Sequence, residues 1–331
     1  MKKYDVAIVG ATGLVGRTFL QVLEERKFPI EKLYLYSSHR SAGTKIVFGN
    51  KEYEVIELKP ENIKKCDFAL FSAGGDISKQ FAPLFVQFGS VVIDNSSAWR
   101  MNNEVPLVVP EVNPHHLKNH KGIIANPNCS TIQLMPILDA INKIAGLEKV
   151  IVSTYQSISG AGQKGLKQLE EESNGNITAE PTKQIFSNAI FHPVSEVNTD
   201  WTVEEIKMVN ESRKILSMPE LKFSVTCVRL PIQIGHSESV YVETKNEFSI
   251  DQIVSAIENI PNVIVMNNFA EGEYPTPVIT KDRDEIFVGR IRRDLHNSKC
   301  LWLWVVANNV RKGAATNAVQ IAEKLIENFA Y

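Results

Sequence analysis

The sequence predicts an α/β fold: a parallel sheet with helices on its faces, followed by a second domain of α+β type built on a mostly antiparallel sheet. Three observations predict it. Short apolar runs alternate with amphipathic stretches over the first 150 residues, a glycine-rich turn separates the first strand from the first helix, and the rhythm changes to strand-like runs after residue 159. Alternation of strand and helix is the signature of βαβ units, whereas strands in succession favour antiparallel pairing.

In order, the first part reads YDVAIVG as a strand, LVGRTFLQVLEER as a helix, KLYLYSS and CDFALFSAGG as strands, ISKQFAPLFVQFG as a helix, then SVVIDNSS and GIIANPN as strands. IQLMPILDAINKIAG is next, a helix that Pro136 should bend or interrupt. After EKVIVSTYQSIS (148–159) comes a long polar stretch from Gln163 to Asn198, the least readable part, and then a helix pattern near 202–216. KFSVTCVRLPI, SVYVETKNEF, EIFVGRIRR and CLWLWVVAN are strand-like, and RKGAATNAVQIAEKLIENF closes the chain with helical periodicity. Its glycine and alanines suit a close approach to another backbone.

The chain has 331 residues, 44% of them hydrophobic and 22% charged, enough for two domains. A formal net charge of -2 gives no electrostatic footprint for nucleic acid or an anionic membrane, so small-molecule partners are expected. Cys66, Cys129, Cys227 and Cys300 lie far apart, without the spacing of a zinc site or a disulfide framework. Runs such as Leu301 to Ala307 are too short to span a bilayer, and a cytoplasmic protein without metal is the expectation.

The turn Gly10-Ala11-Thr12-Gly13-Leu14-Val15-Gly16 stands where backbone amides at a helix N-terminus can hold a pyrophosphate, which makes the first domain a Rossmann-type dinucleotide-binding domain. Gly10, Thr12, Gly13, Leu14 and Val15 are the candidate cofactor contacts. A carboxylate for the ribose of NAD is missing from the end of the next strand, where Ser37, Ser38, Arg40 and Ser41 offer donors suited to the 2′-phosphate of NADP.

Pro127 forbids helix just before Cys129, and Ser130 and Thr131 can cap the helical run IQLMPILDAINKIAG, so the thiol sits at a helix start. A free thiol of pKa ~8.5 is only a few per cent thiolate at neutral pH. The helix end favours the anion by ~0.3–1 kcal/mol, less than the ~1.36 kcal/mol of one pKa unit. A nucleophile here therefore needs a basic partner. His236 is the candidate, since Pro231 and Gly235 break the strand pattern beside it and place it at a turn or rim.

Ten pieces in order give a specific resemblance: GATGLVG, SSHRSAG, FSAGG, DNSSAWR, VVPEVN, NPNCST, TYQSISGAG, EEIKMVNESRKIL, RLPIQIGHSE and RKGAATNAVQIAE. With these the chain resembles the aspartate-semialdehyde dehydrogenase family nearly end to end. The resemblance implies reduction of L-4-aspartyl phosphate with NADPH to aspartate semialdehyde and phosphate, at the branch point toward lysine, methionine, threonine and isoleucine. It implies a Cys129 thioester, His236 as general acid/base and Gln156 as the group that orients the reacting centre.

The same resemblance implies that Arg229 clamps the substrate α-carboxylate, Glu204 meets its amino group, and Arg100 and Lys207 bind phosphate. Ser159, Gly160 and Gly162 match a small turn against the nicotinamide, and Asn309 matches a late cofactor contact. Taken alone, Glu204 and Lys207 would be a solvated i,i+3 pair on a helix that Thr202 and Glu205 open as a capping box. Arg290, Arg292 and Arg293 suit an exposed face or a subunit contact.

N-acetyl-glutamyl-phosphate reductase shares the expected architecture but has glycine before its cysteine and a tyrosine soon after, unlike Asn128 and Ser130. A non-catalytic NADP-binding sensor is the alternative of another class. The expected domains are 1–128 plus 309–331 for NADP, and 129–308 for catalysis and dimerisation, with a homodimer implied because the second sheet has an unprotected face.

Overall fold

The computed structural model describes residues 2–196 and 198–329. The chain divides into two compact units, Met1–Asn128 with Ala314–Tyr331, and Cys129–Gly313.

The first unit holds β1 (Tyr4–Val9), α1 (Leu14–Glu25), β2 (Ile30–Ser37), β3 (Lys45–Phe48), β4 (Lys51–Glu57), β5 (Phe68–Phe71), α2 (Gly75–Gln87), β6 (Val91–Asp94) and β7 (Ile123–Ala125). Its seven strands run in the order β3-β4-β2-β1-β5-β6-β7. All neighbours are parallel except the edge hairpin β3–β4, which the sequence pattern does not signal. Strand alternation sends Val6 and Ile8 to one face, with Phe19 and Leu23 of α1, and Ala7 and Val9 to the other, with Phe81 and Phe85 of α2. Both faces are apolar, as expected of a parallel sheet covered on both sides.

The second unit holds α3 (Cys129–Ala145), β8 (Leu147–Gln156), α4 (Gly162–Ser173), β9 (Ile190–Phe191), α5 (Val203–Ile215), β10 (Lys222–Arg229), β11 (His236–Thr244), α6 (Ile250–Glu258), β12 (Val263–Met266), β13 (Ile286–Arg293) and β14 (Cys300–Ala307). Its sheet order is β12-β13-β14-β11-β8-β10-β9, antiparallel except for the pairs β8/β10 and β12/β13. Helices α3, α5 and α6 pack on the sheet. Helix α3 continues through Pro136, so the proline does not interrupt it. Residues 130–138 of the helix are all buried, and this packing holds it across the one lost backbone bond.

Strand residues that alternate with the buried ones are left partly open, among them Ile151, Tyr155, Tyr241, Trp302 and Trp304. Here a cavity of about 300 Å³ is lined by Phe269, Tyr274, Arg290, Arg292 and Trp304. The polar segment 163–196 is ordered around Glu172, whose carboxylate accepts the Ile185 and Phe186 amides at 2.6 and 2.8 Å.

The last helix, α7 (Asn317–Phe329), comes after a π-helical stretch, Arg311–Thr316, and places Ala318, Val319, Ala322 and Leu325 in the first unit's core. Residues 309–313, expected with the first domain, belong to the second unit. The Asn309 side chain explains this, since it is hydrogen-bonded to Ser157, Ser159 and Gly235 of that unit.

Candidate active site

The glycine turn of the first unit is fixed by its own packing. Gly10 adopts φ +89°, and a Cβ there would lie 2.9 Å from the Ser72 carbonyl oxygen. A Cβ on Gly16 would lie 2.2 Å from the Gly10 oxygen, so α1 can approach β1 only as glycine. Gly13 is the residue before α1, and Leu14 and Val15 supply amides of its first turn, which have no intrahelical partners.

Beside the turn a cavity of about 430 Å³ is lined by Gly10, Thr12, Gly13, Ser37, Ser38 and Ser72, among others. The Thr12 and Ser37 hydroxyls are 2.8 Å apart. Ser38 and Arg40 are exposed and Ser41 half-buried, on a 3₁₀ turn directly after β2. The acid nearest in the sheet is Glu57, the register partner of Ser37. Its oxygens are held by Lys59 at 2.8 Å and His39 at 3.2 Å, and the Lys59 hydrogen bond keeps its pKa below the usual range. A glycine cradle with exposed Ser38 and Arg40 fits a dinucleotide carrying an extra phosphate. Arg100 also lies in this unit, buried, donating through Nε to the Asn126 carbonyl at 2.9 Å and through Nη2 to the Asn95 carbonyl at 2.9 Å.

The second unit assembles most of the other candidates. Cys129 is the first residue of α3 and the one cysteine of four that is not buried. Burial pushes the Cys66 thiol up to about 12 and raises Cys227 and Cys300 as well. Thiolate chemistry is therefore withheld from those three. A Cβ on Gly313 would lie 2.9 Å from the Cys129 Cβ, which is why the residue facing the cysteine is glycine.

His236, the first residue of β11, is fully buried instead of standing at an exposed rim. Its Nδ1 accepts the Ser157 amide at 2.9 Å, and the Ser157 hydroxyl is 3.1 Å away. That hydroxyl donates to Asn309 Oδ1 at 2.9 Å, so the backbone amide is the donor at Nδ1 and the neutral ring carries its proton on Nε2. Nε2 has no hydrogen-bond partner among the described residues. Burial first, then the Arg229 charge, lowers the His236 pKa to about 3, so the ring is neutral at physiological pH.

Gln156 ends β8 and Arg229 ends β10, and the two are register partners. Gln156 Nε2 donates to Ser130 Oγ at 2.9 Å and to Glu204 Oε1 at 3.4 Å. Arg229 Nη1 donates to the Ser157 carbonyl at 3.0 Å. A Cβ on Gly160 would lie 2.6 Å from that same Nη1, giving this glycine a reason inside the unit.

The Thr202/Glu205 capping box forms as expected, with Thr202 N–H donating to Glu205 Oε2 at 2.8 Å and Glu205 N–H donating to Thr202 Oγ1 at 3.3 Å. It starts α5 so that Glu204, buried, and Lys207, partly exposed, come within 3.4 Å. The Asn309 amide is buried and hydrogen-bonded to Ser157, Ser159 and Gly235, so it ties the two turns together. Ser159 is buried in the same network, while Gly160 is exposed.

Sequence reasoning missed His192, Ser157 and Glu238. His192 comes directly after β9 and is buried, and the charges of Glu204, Arg229 and Lys207 all act on it. It lies in the polar segment whose strand is two residues long, too short for any periodicity signal. Ser157 acts through its backbone amide, which every non-proline residue has, so the sequence carries no signal for it.

Two family models match the chain: "Semialdehyde dehydrogenase, NAD binding domain" at residues 5–120 and "Semialdehyde dehydrogenase, dimerisation domain" at residues 134–312. The chain is 52% identical to aspartate-semialdehyde dehydrogenase of Aquifex aeolicus, over 98% of both chains. It is 47% identical to that of Bacillus subtilis, over 97% of this chain and 96% of the relative. The crystal structure of aspartate semialdehyde dehydrogenase II from Vibrio cholerae, complexed with ASA, superposes with a TM-score of 0.94 at 41% identity, covering 99% of this chain and 100% of that one. Matches of this extent, over both units and through the cysteine, the histidine and the glycine turn, show that the chain belongs to the semialdehyde dehydrogenase family, among the aspartate-semialdehyde dehydrogenases.

Proposed function

We propose that the protein reduces L-4-aspartyl phosphate to L-aspartate 4-semialdehyde and phosphate with NADPH, through a thioester on Cys129. The observation that carries this reading is the placement of the one unburied cysteine at the start of α3, in the same unit as buried, neutral His236 and the Gln156 amide. Cys129 Sγ takes the acyl group from phosphate as its C–S bond forms and the C–O bond to phosphate breaks. NADPH, when bound, supplies the hydride that brings the thioester carbon to the aldehyde level. His236 exchanges the proton with the substrate oxygen at Nε2, the ring atom with no protein partner among the described residues.

Arg229 receives the α-carboxylate as a planar fork, and Glu204 receives the ammonium group. Arg100 and Lys207 take the phosphate. Gly10, Thr12, Gly13, Leu14 and Val15 hold the pyrophosphate of NADP, with Ser38, Arg40 and Ser41 on its 2′-phosphate. The buried carboxylate of Glu204 supports a free amine on the substrate over an acetylated one, and so favours this reaction over N-acetyl-glutamyl-phosphate reduction.

The assay is NADPH formation from aspartate semialdehyde, which should require phosphate or arsenate and fail with N-acetyl-glutamate semialdehyde. Cys129→Ala should cut turnover by ~10⁴-fold or more while NADP binding is kept. Undiminished oxidation after alkylation of the thiol would end the proposal. A homodimer is expected on the open face of the second sheet, where Phe269, Tyr274 and Trp304 surround the cavity. Four free cysteines suit the reducing cytoplasm. Among the described residues, no helix is long and apolar enough to cross a membrane.

A further inference from the structure

The second unit also buries a carboxyl that the proposed reaction leaves without a task. Glu238 is the third residue of β11, on the face it shares with His236 by strand alternation, and both are 0% exposed. Its register partners are Thr154 of β8 and Val305 of β14. From α3, the polar groups acting on it are the Gln133 amide and the Ser130 hydroxyl. Ser130 is the residue after Cys129 and accepts the Gln156 amide at 2.9 Å.

Counting donors decides the charge state of this cluster. Gln133 Nε2 donates to the His236 carbonyl at 3.4 Å, which fixes the sense of that amide and leaves Gln133 Oε1 as an acceptor. Gln133 Oε1, Glu238 Oε1 and Glu238 Oε2 are all enclosed, and none has a donor in good geometry among the described residues. The Gln133 amide and the Ser130 hydroxyl favour the anion but neither meets the carboxyl oxygens in good geometry, so an ionised Glu238 would be a poorly compensated buried charge.

The titratable groups on the surrounding elements do not relieve it. These are Cys129 on α3, Cys227 and Arg229 on β10, Glu204 and Glu205 on α5, and His236 on β11 itself. His236 is held neutral and Arg229 is engaged with the Ser157 carbonyl. A proton on Glu238 removes the charge and turns one acceptor into a donor. Burial independently holds this carboxyl well above the usual carboxylate range.

We propose that Glu238 works as an uncharged carboxylic acid, a positioning residue that fixes Ser130 and Gln133 on α3 and, through Ser130, the orientation of the Gln156 amide. The inference rests on the reading of Cys129 and Gln156 as groups of the reaction. Glu238→Gln keeps size, neutrality and a donor–acceptor pair, whereas Glu238→Met keeps size alone.

In semialdehyde oxidation, Glu238→Gln should keep kcat within about threefold of the parent, while Glu238→Met should lose about 100-fold in kcat at unchanged KM for NADP, the scale of a small misplacement of reacting groups. Equal losses in both variants would show that a charged carboxylate is needed, and full activity in both would show no positioning role. Either outcome overturns the proposal.

Thermal unfolding tests the protonation state without turnover. Above about pH 4.5 the unfolded carboxyl ionises while the folded one keeps its proton, so the parent should lose stability relative to Glu238→Gln as pH rises from about 5 to about 8. A melting gap that does not widen with pH would sink the uncharged state. If the parent turns over no aspartate semialdehyde, the functional reading fails instead, and the melting gap still judges Glu238. If Glu238→Met does not fold, the glutamine variant carries both tests.

Discussion

The two seven-stranded sheets bury their faces with different chemistry. In the first, β1 and β5 send aliphatic and aromatic side chains to both sides, and the polar groups enclosed with them, Asp94 at the end of β6 and Ser37 at the end of β2, stand at strand ends. In the second, the face that carries His236 and Glu238 of β11 also carries Thr154 and Gln156 of β8, each no more than 1% exposed. The opposite face keeps half-open tryptophans and tyrosines. One sheet is a platform whose burial serves stability, and the other gives up part of that stability to enclose groups that do chemistry.

The largest effect is expected where the first sheet is deepest. Phe68 of β5 is fully buried, with Tyr4 at 5.5 Å and Phe28 at 6.2 Å between ring centroids. Phe68→Ala should cost ~3–5 kcal/mol, the sum of lost transfer energy and a residual cavity. Denaturant unfolding reads it directly. A loss below about 1 kcal/mol would break the comparison, since the platform would then tolerate a hole at its centre.

This difference also explains what was legible beforehand. The short apolar run YDVAIV and the glycines at 10, 13 and 16 obey local rules, so the first unit and its nucleotide turn could be read from the chain. The Thr202/Glu205 cap is local too, and it formed. Cys129, His236 and Arg229 were found through motifs, yet the environment of His236 was not, because burial depends on elements 79 residues apart in the Ser157 hydrogen bond. Asn309 reaches over 150 residues to Ser159, and Pro136 lies inside a helix that continues past it. Glu238 reads as an ordinary polar strand residue until the strands beside it are known.

A smaller effect should separate the sheets in acid. Burial lowers the His192 pKa to about 4, with Glu204 opposing the shift and Arg229 and Lys207 adding to it. The unfolded ring takes a proton below about 6.5 and the folded ring only below about 4, so unfolding gains protons across that window and stability falls as pH drops through it. The loss approaches about 3 kcal/mol by the lower end. His192→Gln should flatten the stability profile between about pH 6.5 and about pH 4, measured as the difference in unfolding free energy from the parent. An unchanged slope would mean that this histidine is protonated in the fold and that the second unit tolerates charge there.

The smallest effect should have the opposite sign. Thr154 is 1% exposed, opposite Glu238 on one side and Cys227 on the other. Its hydroxyl faces the Cys227 sulfur, a weak acceptor, and makes no hydrogen bond in good geometry among the described residues. Valine has nearly the same shape, suits a strand and removes the cost of enclosing a poorly matched hydroxyl. Thr154→Val should therefore raise stability by about 1 kcal/mol. Chemical unfolding of the variant at neutral pH is the measurement. A loss of about 1 kcal/mol instead would show that the hydroxyl is a full member of a satisfied network, and that the polar layer of the second sheet stabilises the fold as well as shaping the site.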